Sequence, residues 1–94
     1  MAVLISIPTA LRAYTGGAPQ VSVDGDTVAE ALESLTTTHA GLKKHLRDDA
    51  GKLRSFVNVY LGDEDIRFLP ERDQTAVQDG AELIIVPSIA GGAR

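Results

Sequence analysis

Cysteine is missing from this chain of 94 residues, which excludes disulfides, thiolate catalysis, iron–sulfur ligation and Cys-based zinc sites. No stretch approaches the 18 or so apolar residues of a membrane span, and Met1-Ala2-Val3-Leu4 lacks the charged region of a signal peptide, so a cytoplasmic protein with no membrane partner is expected. Basic clusters are lacking too: nine Lys and Arg are scattered among thirteen Asp and Glu, and the net charge of −4 argues against nucleic acid. An acidic domain is steered instead toward basic patches on partner proteins. A chain this short buries only about 60 to 65% of its unfolded surface, which leaves little room for a deep catalytic cleft. No convergent set of catalytic residues is visible, so a self-contained enzyme is not expected.

What is present is a folded domain's composition, 44% hydrophobic and 23% charged, with period-two and period-3.6 patterns in order. Val3, Ile5 and Ile7 alternate with Leu4 and Ser6 until Pro8, which predicts a strand over 2–7. Pro8, Gly16, Gly17 and Pro19 punctuate a connecting loop with Leu11 and Tyr14 beneath it, and Val21 and Val23 alternate as a shorter strand closed by Gly25. Thr27-Val28-Ala29-Glu30 reads as a capping box, opening a helix whose Val28, Ala31, Leu32 and Leu35 form one apolar stripe while Glu30, Glu33 and Ser34 face water. The β-branched run Thr36-Thr37-Thr38 should end it, and Leu42 and Leu46 mark a shorter helical segment.

Phe56 to Leu61 is rich in β-branched and aromatic residues, hence a strand, followed by a turn at Gly62-Asp63-Glu64-Asp65 and a short edge strand over 66–69 that Pro70 stops. Asp79-Gly80 marks a tight turn before Glu82-Leu83-Ile84-Ile85-Val86, whose continuous apolar run predicts a strand covered on both faces. The first and last strands are the most apolar and form the natural central pair, with the helix laid over one face. The expected fold is therefore α+β, a β-grasp or ubiquitin-like mixed sheet of four to five strands packed on one main helix. A ferredoxin-like sandwich needs a second full-length helix, for which 41–46 is too short. The domain should occupy residues 1–87, with 88–94 a flexible diglycine tail.

That tail, Ser88-Ile89-Ala90-Gly91-Gly92-Ala93-Arg94, carries no charge until its last residue, and its side chains shrink toward the diglycine. The five residues from Ser88 to Gly92 can span roughly 16 to 18 Å, enough to enter a partner's buried active site. Two glycines in succession let a narrow channel close around bare backbone. A frayed terminus is the bland alternative, but the position of the pair, a few residues past the last strand of a β-grasp pattern, favours function.

Other polar residues point away from catalysis. His39 and His45 lie six positions apart, a spacing that does not share one helical face, so no metal site is expected from them. Asp63-Glu64-Asp65 lacks the twelve-residue calcium loop, and Asp24 and Asp26 suit the positive end of the helix that follows. Phe68, Leu69 and Ile89 are candidate partner-facing residues beside the tail root.

Together, Ile7-Pro8-Thr9-Ala10-Leu11-Arg12 with Thr15-Gly16-Gly17, Gly51-Lys52-Leu53, Phe56-Val57-Asn58-Val59-Tyr60, Asp63-Glu64-Asp65-Ile66-Arg67-Phe68, Asp79-Gly80 and the ending from Pro87 to Gly92 give a resemblance that spans nearly the whole chain. The chain resembles the ThiS/MoaD family of ubiquitin-like sulfur carriers, its cysteine-biosynthesis branch above all. The resemblance implies that an E1-like adenylyltransferase and sulfurtransferase uses ATP to adenylate the carboxylate of Gly92. A sulfur donor then converts it to a thiocarboxylate, and the carrier binds no cofactor of its own. It implies a sulfur-accepting partner, either a cysteine-synthase-type enzyme with pyridoxal phosphate or a thiosugar or cofactor synthase. Ser88, Ile89, Ala90, Gly91 and Gly92 would insert into these partners. Ala93-Arg94 depart from a mature diglycine end and move the carboxylate by roughly 7 Å, so cleavage between Gly92 and Ala93 by a zinc metalloprotease is expected. A ubiquitin-like binding or conjugation module without sulfur transfer is the alternative.

Overall fold

Alternation along the first strand decides which way the sheet faces: Val3 and Ile5 are fully buried, whereas Leu4 and Ser6 look outward. The computed structural model describes residues 1–51, 53, 54 and 57–87. Five strands, β1 (Ala2–Ser6), β2 (Gln20–Asp24), β3 (Val57–Leu61), β4 (Glu64–Asp65) and β5 (Ala81–Pro87), form one mixed sheet in the order β2-β1-β5-β3-β4. The first and last strands are the central pair, as their apolar content requires, and run parallel with Ile5 opposite Leu83. β2 and β3 flank them antiparallel. Phe56, assigned to the third strand from sequence, lies outside the described residues. Asp79-Gly80 makes the expected turn: Gly80 has φ +86°, and the Asp79 carboxylate accepts from the Ala2 amide at 2.8 Å.

The main helix, α1 (Val28–Thr38), lies across the inner face of the sheet with Val28, Ala31, Leu32 and Leu35 all buried. Its N-terminus is capped by the Thr27 hydroxyl, which accepts from the Glu30 amide at 3.2 Å. Glu30 reaches back one residue further than a strict capping box, accepting from the Asp26 amide at 2.9 Å. The helix ends with the threonine run, as expected, and all three threonines lie within it. Thr36 is buried, and its hydroxyl donates to the Leu32 and Glu33 carbonyls, both at 3.2 Å, so its polar atom is satisfied within the turn it occupies. A 3₁₀ turn (Ala40–Leu42) and a short helix α2 (Lys43–Leu46) follow, sinking Leu42 and Leu46 into the core. Among the described residues, no helix is long and apolar enough to cross a membrane.

Three local expectations are corrected. The segment after Pro8 is not a loop throughout: Thr9–Thr15 forms a 3₁₀ helix, closed by Gly16 at φ +66°. It sets Leu11 against the core and Tyr14 against the ring of His45 at 4.5 Å. The edge strand expected over 66–69 is a 3₁₀ turn (Ile66–Phe68), because the Asp65 carboxylate accepts from the Arg67 amide at 2.9 Å and bends the chain after two strand residues. The last strand is covered on one face only. Leu83 and Ile85 are buried, but Ile84 and Val86 are 36% and 40% exposed.

Gly25 is needed for close approach rather than for its dihedrals. A Cβ there would lie 2.6 Å from the Ala31 amide nitrogen and 2.9 Å from its Cα, both on a rigid helix. Gly25→Ala should therefore cost about 2 kcal/mol of stability, read as a fall in the urea midpoint at unchanged slope.

Candidate functional site: the open sheet face and the tail root

β5 carries the chain out of the domain at Pro87, whose Cα pairs with Val57 at the start of β3. The site is built on that exit. Directly opposed residues of neighbouring strands project from the same face, so the register defines the outer surface: Tyr60 and Ser6 lie on either side of Ile84, and Asn58 lies beside Val86. Leu4 extends the patch on β1, opposite Glu82. Between Asp65, opposite Tyr60 on β4, and Glu82 on β5, this surface is uncharged, and it leads to the residue where the tail begins. In a chain of net charge −4, such an uncharged, partly apolar stretch stands apart from the rest of the surface.

The residues singled out from sequence are placed unequally. Phe68 ends the 3₁₀ turn after β4 and is 84% exposed, a bare aromatic suited to a partner's pocket. Leu69 is half-buried and packs against the core, so the two adjacent positions serve different ends. Ser88, Ile89, Ala90, Gly91, Gly92 and Ala93 lie outside the described residues. The sequence pattern does not single out Ile84 and Val86, because an unbroken apolar run predicts two covered faces, nor Tyr60, whose place beside Ile84 only the register shows. The available signal was Glu82, which shares the phase of Ile84 and Val86 and marks that face as open to water.

The remaining polar candidates have structural positions. Asp26 sits 3.8 Å from the N-terminal ammonium; the Asp24 carbonyl accepts from Ser34 at 2.7 Å. His39 caps the end of α1, while His45 stacks on Tyr14. Among the described residues no group of three or more His, Cys, Asp or Glu could hold a metal ion.

The chain matches the ThiS family over residues 5–92. It is 44% identical over 94 residues to the sulfur carrier protein CysO of Mycobacterium tuberculosis, covering 98% of this chain and 100% of that protein. Among solved structures, the Amycolatopsis orientalis BexX/CysO complex contains a chain 44% identical with a TM-score of 0.84, covering 96% of this chain and 99% of that one. The small archaeal modifier protein 1 (SAMP1) of Methanosarcina acetivorans is 27% identical with a TM-score of 0.87, covering 97% and 96%.

Proposed function

The chain belongs to the ThiS family, and from that premise we propose that it is a sulfur carrier, a protein cosubstrate that bears sulfur as a thiocarboxylate on Gly92. The observation that supports this reading is the uncharged stretch of the outer face of β5 beyond Glu82, where exposed Ile84 and Val86 run into the exit at Pro87, five residues before Gly92. Ordering those five residues in a channel costs about 1 to 2 kcal/mol each, so the folded body must supply most of the affinity. A docking face at the tail root does so without adding anything to the tail's width.

The chemistry follows from the electrophile. A carboxylate resists nucleophilic attack, so an E1-like partner first joins the Gly92 carboxylate to the α-phosphate of ATP, releasing pyrophosphate. Hydrosulfide or the terminal sulfur of a persulfide attacks the acyl carbon and AMP leaves with the bonding pair; hydrosulfide gives the thiocarboxylate directly, whereas the acyl disulfide formed from a persulfide is opened by a thiol, which leaves joined to the donor sulfur as a disulfide. That group is a soft anion at neutral pH and needs no base in the carrier. The receiving enzyme is of the cysteine-synthase type with pyridoxal phosphate, or a thiosugar synthase, and the exchange takes place in the cytoplasm. Ala93-Arg94 must first be removed, by a zinc metalloprotease acting between Gly92 and Ala93. Residues 1–87 then act as the handle and the tail as the reagent.

Likeness to an archaeal modifier protein favours one second reading, conjugation of the Gly92 carboxylate to a lysine amine. A single measurement separates the two. The chain ending at Gly92 is incubated with an E1-like enzyme, ATP and a sulfur source, and its intact mass is read. Replacement of one oxygen by sulfur is the expected result, whereas an isopeptide adduct with no sulfur gain would replace this proposal with the second reading.

A further inference from the structure

On the inner side of β3, a cavity of about 510 Å³ opens between the segment after α2 and the turns that follow β4. Its floor is apolar, with Leu53, Val59 and Ile66, and three arginines line it: Arg47, Arg67 and Arg72. Asp73 is the one acid among the described lining residues. The formal charge of the described lining residues is therefore about +2 in a chain of net charge −4.

Two arginines are tied to the fold. Arg47 ends α2, pairs with Leu53 in an isolated bridge and donates from Nη1 to the Gly51 carbonyl at 2.8 Å. Arg67 donates from Nη2 to the Val57 carbonyl at 2.9 Å. Among the described residues the Nε of Arg47 is closed off from solvent with no hydrogen-bond partner, so it meets an acceptor in the cavity once its guanidinium turns outward. Arg72 adds a second anomaly. Its φ is +50°, the left-handed region that glycine occupies without strain and arginine does not, so an arginine stands where the backbone favours glycine.

We propose that this cavity binds a small phosphate monoester with an apolar body. The ester carries a charge of about −2 near neutral pH, matching the three guanidinium groups less Asp73. Its oxygens meet the N–H forks that suit phosphate geometry, and its organic part lies on the Leu53, Val59 and Ile66 floor. The volume falls within the usual range for small-molecule sites, about 300 to 1,000 Å³. Its lining shares no residue with the outer sheet face.

The full chain, labelled with ¹⁵N in its arginine side chains, is titrated at fixed ionic strength with phenyl phosphate, inorganic phosphate and phenol. The Arg47 Nε–H resonance should shift saturably with phenyl phosphate. Inorganic phosphate, which leaves the floor uncovered, should bind about tenfold more weakly, and phenol should leave the resonance in place. Arg72→Gly should weaken phenyl phosphate binding about tenfold without lowering the unfolding midpoint. Lys43→Gln, at an exposed lysine outside the cavity, should bind as the parent does. The absence of a saturable Arg47 shift overturns the proposal, as does equal weakening in Lys43→Gln, or an Arg72→Gly chain that binds as tightly as the parent.

Discussion

The chain ending at Gly92 should be adenylated by its E1-like partner, while the same chain retaining Ala93-Arg94 should be slower by about a hundredfold or more. The physical cause is displacement: two further residues carry the carboxylate roughly 7 Å past the point at which ATP is attacked, and misplacement of a reacting group by even about 1 Å can cost a hundredfold. The Arg94 side chain adds a cation where the mature end is slim and uncharged but for its carboxylate. Pyrophosphate release on addition of ATP, with matched concentrations of the two chains, measures the difference. Equal rates would mean that the partner tolerates the extension, and the processing step would have no function. Prior treatment of the longer chain with a zinc metalloprotease should restore the rate, with loss of Ala93-Arg94 visible in the intact mass.

Ile84→Glu should lower kcat/KM for activation of the Gly92-ending chain by about two orders of magnitude, the effect of a central contact worth roughly 2 to 4 kcal/mol. Ile84 is the midpoint of the outer face, between Tyr60 and Ser6 in the register, and a carboxylate there would be desolvated without a partner on docking. Since the side chain is already open to water, the unfolding midpoint should move by no more than a few degrees. Glu33→Lys on the exposed side of α1 makes a larger change in charge away from this face and should leave the rate within about twofold. If Ile84→Glu activates like the parent while Glu33→Lys does not, docking occurs on the helix side and the outer face of β5 is not the recognition surface.

How far the structure could be read in advance depended on whether a pattern was periodic. The stripe Val28, Ala31, Leu32 and Leu35 fixes α1 and its buried side, because four apolar residues at helical spacing admit one orientation. The central pairing of β1 with β5 follows from their apolar content, since central strands have neighbours on both edges. The 3₁₀ segments gave no comparable signal. Thr9–Thr15 lies among prolines and glycines that also mark loops, and Ile66–Phe68 is set by one side-chain cap on Asp65 that competes with strand propensity. The arginine cavity was invisible for a different reason: Arg47 lies 20 positions before Arg67 and 25 before Arg72, and only the turns bring them to one opening. The diglycine needed no geometry to be noticed, and its reading rests on the resemblance and on where β5 ends.

The last strand's place in the sheet has a mechanical consequence. β5 is bonded to β1 on one side and β3 on the other, so a pull on the exit at Pro87 is shared between two neighbours as shear along the strand instead of peeling an edge apart. Traction by a catalyst that draws the end inward, or by a peptidase that grips it, would therefore be borne by the whole body. A carrier fastened in this way can be tugged repeatedly and released without unravelling.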